Sequence, residues 1–177
     1  MFYMLIFTDA DWAGDISTRR STIGYIEFAV GGPLLWLSML QTTVSTSSMQ
    51  SEYRALYAVM QEIVWLRVLL SKLQLCMSKP TPFFLDSQSA EDLAVSLAYH
   101  KRSSIEIKYH WVREHEDPDG KIETAWLIHV RTGYRTADIF TKALTGVIFE
   151  KHRSRSLGER RMASTEVAKD NKCKQLR

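Results

Sequence analysis

Cysteine is scarce in this chain of 177 residues: Cys76 and Cys173 are the two thiols, far apart in sequence. They fit neither a disulfide framework nor a thiolate metal site, so a reducing compartment is the default. Long apolar runs are lacking too. The opening segment Met1–Phe7 is too short to cross a bilayer. It has no basic flank and no small-residue cleavage site, which argues against a secretory signal; it reads better as a buried strand. No internal repeat is visible. There is also no basic excess over most of the length. Residues 1–149 hold 14 Lys/Arg against 16 Asp/Glu, while residues 150–177 hold 9 against 4, so the net +3 belongs to the tail. Charge is therefore weak ground for nucleic-acid binding by the body of the chain.

The 45% of hydrophobic residues is enough for one globular domain. We place it at residues 1–149, with 150–177 as a basic, flexible tail. Strands are expected at Phe2–Asp9, at Thr22–Val30 and, after Gly31-Gly32-Pro33, at Leu34–Ser38. The tight link makes the second and third antiparallel. Ser47 with Gln50 three residues on forms a capping-box pattern before a long helix, Met49–Leu73. Tyr53, Leu56, Tyr57, Met60, Ile63 and Val64 make its apolar stripe. A wholly apolar strand follows at Phe83–Leu85, helices at Ser87–Leu97 and Ile105–Glu114, and a turn at Asp117–Gly120. A strand at Thr124–Val130 and a last helix at Arg135–Leu144 complete the order. Three antiparallel strands followed by crossovers imply an α/β fold: one five-stranded mixed sheet flanked by helices.

Asp9 and Asp86 each stand where a strand ends, and parallel pairing of those strands would bring both to one edge of the sheet, where α/β folds usually place ligands. Glu52 and Asp138 are expected in the first turns of the long helix and the last helix. Four converging carboxylates repel unless a cation compensates them. Mg²⁺ prefers such hard oxygen ligands and leaves positions for water and phosphate, and two such ions can drive an in-line displacement at phosphorus. Each acid also has a structural explanation: Asp86 as a helix cap, Glu52 and Asp138 as partners of a helix dipole, Asp9 as a turn residue beside Asp11.

The words around these acids add to the case. Thr8–Asp15 (TDADWAGD), Arg20–Tyr25 (RSTIGY), Trp36–Ser38, Gln41–Ser48 leading to Ser51–Tyr53, Leu85–Ala90 (LDSQSA), Ile107–Glu114 (IKYHWVRE) and Thr136–Leu144 (TADIFTKAL) occur in order over about residues 3–145. Together they resemble the ribonuclease H domain of copia-type retrotransposon Pol polyproteins. The resemblance implies a ribonuclease H-like fold with sheet order 3-2-1-4-5. It also implies an endonuclease that hydrolyses the RNA strand of RNA–DNA hybrids during reverse transcription. Asp9, Glu52, Asp86 and Asp138 would be its catalytic, metal-binding set, holding two Mg²⁺ or Mn²⁺ ions, with no small-molecule cofactor and no membrane. The implied partners are the hybrid and the reverse transcriptase and integrase parts of the parent polyprotein. The implied location is the cytoplasmic virus-like particle or the nucleus.

A hybrid would be recognised by shape and 2′-hydroxyls. Arg19, Arg20, Lys101, Arg102, Lys108 and Arg113 are candidate phosphate contacts, and Trp12 and Trp111 candidate stacking groups, although scattered basic residues are more often plain surface. Two departures stand out. The loop Val130–Arg135 lacks the histidine that cellular ribonucleases H carry there, and His100–Glu106 is one residue short of the pattern. Two other functions are open: an inactive interaction module that keeps the fold, and a transposase-like nuclease with a different acid set.

Overall fold

The computed structural model describes residues 3–75, 77, 79–86, 125–130 and 134–158. The helices expected at 87–97 and 105–114, the turn at 117–120 and the far end of the tail lie outside the described residues.

Strand β1 (Met4–Asp11) is the centre of the sheet. Its first seven residues are all buried, as an apolar strand with neighbours on both edges and layers on both faces must be. Side-chain alternation sends Ile6 and Ala10 into one core and Leu5 and Phe7 into another. Strand β2 (Thr22–Ala29) pairs with β1 antiparallel, and β3 (Gly32–Leu40) pairs with β2 antiparallel at the edge. Strand β4 (Thr81–Asp86) runs parallel to β1 on its other side, and β5 (Ala125–Val130) parallel to β4. The order β3-β2-β1-β4-β5 is the one expected.

The hairpin differs in detail from its expectation. Strand β2 stops at Ala29, because Val30 and Gly31 both have positive φ, 53° and 87°. They form the two-residue loop between the paired Ala29 and Gly32, and positive φ at both positions is what a type I′ turn demands. Pro33 is then the second residue of β3, where an edge strand tolerates the missing N–H.

Helix α1 (Ser48–Lys72) covers one face. The Ser47 hydroxyl accepts from the Gln50 N–H at 3.1 Å, as the capping pattern requires. Gln50 in turn accepts from the Thr46 N–H at 2.7 Å rather than from that of the cap residue. Leu56, Val59, Met60 and Ile63 pack on Ile6, Tyr25 and Phe83, each such side chain contributing about 1.5–3 kcal/mol by leaving water. Tyr57 and Val64 of the expected stripe are only half-buried. The helix begins one residue earlier than expected, so its first turn holds no acid and Glu52 lies just beyond it.

The C-terminal region departs most. In place of one helix at Arg135–Leu144 there is a 3-10 turn, Thr136–Phe140, and then a separate helix α2, Gly146–Ser156. At the break, Phe140 O accepts from the Ser38 hydroxyl at 2.6 Å, which ties the end of the 3-10 turn to β3. Helix α2 also corrects the tail boundary. Residues 150–156, assigned above to a flexible tail, are helical. His152 is buried, and Lys151 and Arg155 sit over the Tyr134 ring at 5.4 and 4.8 Å. No helix among the described residues is long and apolar enough to cross a membrane.

Candidate active site

A single row of residues runs across the sheet beneath the 3-10 turn. Asp9 pairs in register with Gly24 on β2, and Gly24 with Ser38 on β3. On the other side Ile6 and Phe7 pair with Phe83 and Phe84. Continuing that parallel register by two residues brings Asp9 level with Asp86, the last residue of β4. The backbone thus sets Asp9 and Asp86 at one level, although β1 does not end at Asp9 as expected but runs on to Asp11; the Asp86 side chain lies outside the described part.

The 3-10 turn rests on the middle of this row because Gly24 has no side chain. A Cβ there would stand 2.6 Å from Thr141 Cγ2 and 2.8 Å from Phe140 Cβ. With that space free, Asp138, Thr141 and Lys142 reach Asp9. The Thr141 hydroxyl donates a short hydrogen bond to Asp9 Oδ2, and Asp138 O lies 3.3 Å from the same hydroxyl oxygen. Lys142 Nζ lies 3.1 Å from Asp9 Oδ2 and 3.5 Å from Asp138 Oδ2. Both acids are 4% exposed.

The electrostatics follow from that burial. The Asp138 carboxyl is pushed up to about 6, first by desolvation and then by the charge of Asp9, against the opposing pull of Lys142 and Arg135. Burial pulls the Lys142 ammonium down, but Asp9 and Asp138 together hold it above the ordinary lysine range. Asp138 Oδ1 is buried with no hydrogen-bond partner among the described residues. An unsatisfied buried carboxylate oxygen beside a second carboxylate suits a hard divalent cation, so the donor chemistry fits Mg²⁺ or Mn²⁺.

Of the four expected ligands, the described structure brings Asp9 and Asp138 together and sets Asp86 at their level. Glu52, half-buried near the start of α1, does not close on the pair: no group of three or more His, Cys, Asp or Glu among the described residues is arranged to hold a metal ion. Trp12 and Arg20, expected at the nucleic acid, have structural bonds. Trp12 Nε1 donates to Ser45 O at 3.0 Å, and Arg20 Nη1 donates to Gln41 O at 3.3 Å and Thr42 O at 3.5 Å. The Trp12 ring is still about half exposed, and Arg19 is exposed. Lys101, Arg102, Lys108, Trp111 and Arg113 lie outside the described residues.

Sequence reasoning missed Gly24, Ser38, Thr141 and Lys142. One signal was readable: Lys142 follows Asp138 by four residues, the spacing at which a cation meets an acid on a helical turn. The glycine inside a run of β-formers was the other, since such a residue often marks a close approach of another backbone.

No family model matches the chain. Its sequence is 38% identical over 145 residues to the retrovirus-related Pol polyprotein from transposon TNT 1-94 of Nicotiana tabacum, and 34% identical over 153 residues to that from transposon RE2 of Arabidopsis thaliana. These matches take in 81% and 86% of the chain but only 10% of each polyprotein. Its fold matches the crystal structure of LC11-RNase H1 in complex with an RNA/DNA hybrid, with a TM-score of 0.54, 16% identity, and coverage of 78% of this chain and 93% of that one.

Proposed function

We propose that this chain, a homologue of one segment of the copia-type transposon Pol polyproteins with the fold of ribonuclease H, hydrolyses the RNA strand of RNA–DNA hybrids during reverse transcription. The observation that carries the proposal is the buried Asp9–Asp138 pair, level with Asp86 at one edge of the sheet. Asp9, Asp86 and Asp138 would hold Mg²⁺ or Mn²⁺, and Glu52 would have to close in from α1 to complete the set. Two such ions, when bound, supply a nucleophilic water and stabilise the leaving oxygen. The residues of the chain do the positioning. Thr141 fixes Asp9 Oδ2, Ser38 anchors the 3-10 turn through Phe140 O, and the turn carries Asp138. Arg19 and the exposed face of Trp12 stand near the same end of β1 and would meet the backbone of a hybrid, whose recognition rests on shape and 2′-hydroxyls. The wider setting belongs to the same proposal: neighbouring reverse transcriptase and integrase segments, in a cytoplasmic particle or the nucleus.

The test is cleavage of a labelled hybrid by purified protein in Mg²⁺ or Mn²⁺, beside Asp9→Asn and Asp138→Asn. Loss of a metal-anchoring carboxylate should lower the rate at least about 100-fold, a transition-state loss of roughly 2.7 kcal/mol. Cleavage no faster than in the variants would sink the nuclease and leave an interaction module.

A further inference from the structure

The two buried acids already have a cation between them. Lys142 Nζ lies 3.1 Å from Asp9 Oδ2 and 3.5 Å from Asp138 Oδ2. We propose that this ammonium is the resident counter-ion of the carboxylate pair, and that a divalent ion binds only by displacing it, so that Lys142 sets the metal affinity of the site. The inference rests on the reading above that these carboxylates hold a divalent cation.

Three features of the site support displacement over coexistence. First, the carboxylates are shared. Lys142 contacts Oδ2 of each acid, and the unpartnered Asp138 Oδ1 belongs to the same carboxylate, so a Mg²⁺ ion bound to these carboxylates at about 2.0–2.1 Å would stand within a few ångströms of the ammonium. Second, the charges compete. An ammonium a few ångströms from a bound dication repels it strongly at low dielectric, whereas the ammonium alone leaves one negative charge of the carboxylate pair uncompensated. Third, Lys142 can leave. Its side chain is 34% exposed, its stem has four flexible carbons, and it lies just past the end of the 3-10 turn. Asp9 meanwhile keeps the Thr141 hydroxyl bond, so the carboxylate stays oriented while the cation changes. The acids could thus remain buried without metal, with Lys142 limiting their mutual repulsion until a dication arrives.

Two measurements on the full chain test the idea, and neither reads activity. In Mn²⁺ titration calorimetry, Lys142→Met should bind on the order of 10-fold more tightly than wild type, since one opposing charge is gone. Its metal-free Tm should fall, and the Tm gap should close at saturating Mn²⁺. Equal or weaker Mn²⁺ binding by Lys142→Met overturns the proposal. The second measurement uses wild type alone, in case the variant does not fold. Lysine-directed labelling of Lys142, followed by peptide mass, should speed up several-fold at saturating Mn²⁺; an unchanged or slower rate overturns it. Asp9→Asn separates the two failures. If wild type binds Mn²⁺ and Asp9→Asn does not, but Lys142 neither competes nor is released, the displacement idea alone falls. If wild type and Lys142→Met bind none, the metal reading falls and takes this inference with it.

Discussion

Gly24 of β2 faces Asp9 of β1 in register, and the 3-10 turn that carries Asp138 lies where a side chain at Gly24 would be. The absence of one Cβ in a strand thus decides whether two acids distant in sequence can meet. A strand normally loses by containing glycine; here the cost is offset by the close approach of Phe140 and Thr141.

Gly24→Ala tests that relationship. The added carbon would overlap Thr141 Cγ2 and Phe140 Cβ, at 2.6 and 2.8 Å, and the turn must lift. Overpacking of this kind costs typically 1–3 kcal/mol. The expected result is a lower urea midpoint together with a loss of Mn²⁺ affinity, because Asp138 moves with the turn. A variant that binds Mn²⁺ as wild type does would show that the turn does not depend on this space. Alanine is the smallest side chain that can make the point, and valine should be worse.

Val30→Asn addresses the hairpin. Val30 is a β-branched residue held at φ 53° in the loop, and it is 64% exposed, so no packing compensates the strain. Left-handed backbone costs an ordinary L-residue roughly 1–2 kcal/mol and asparagine less. The substitution should stabilise the fold by about 0.5–1 kcal/mol, read as a rise in urea midpoint with an unchanged slope. A fall in the midpoint would rule out a left-handed residue at this position.

The contrast between these sites shows how far the sequence could be read. Strands β1, β2 and β4 were legible as runs of apolar and β-forming residues, and helix α1 by its apolar stripe, all of them local signals. Asp9 and Asp138 were legible because short words surround them. Ser38 and Thr141 were not, since their roles exist only through bonds to residues 102 and 132 positions away. The break between the 3-10 turn and α2 was hidden too, because no proline or glycine stands at residues 141–145 to signal it. Glu27 was passed over because it stands inside a run of β-formers, where alternation alone places it inward.

Glu27 has the largest consequence for pH. It is fully buried, and neither carboxyl oxygen has a hydrogen-bond partner among the described residues. Burial first, and then the nearby Glu62 of α1, push it up from 4.5 to about 7; it and Glu62 in turn add to the burial that raises Tyr25 to about 12. The unfolded chain therefore releases this proton near 4.5, while the folded chain keeps it to about 7. Between those values the folded state binds more protons, so the contribution of Glu27 to stability falls as pH rises through that window and is flat above it. The shift corresponds to a loss on the order of 3 kcal/mol. Two other groups tilt the raw profile. Asp138, raised to about 6, adds a slope of the same sign, and His152, lowered to about 4 by burial, adds the opposite slope below its unfolded value. The decisive quantity is therefore the difference between wild type and Glu27→Leu, which retains both of those groups. In urea denaturation at pH 5, 6, 7 and 8 the variant should gain on wild type by about 2.5 kcal/mol from the lowest pH to the highest, because leucine fills the site without a charge to desolvate. A difference that stays constant with pH would mean that Glu27 ionises as freely in the folded chain as in the unfolded one, and that α1 packs on β2 without excluding water from it.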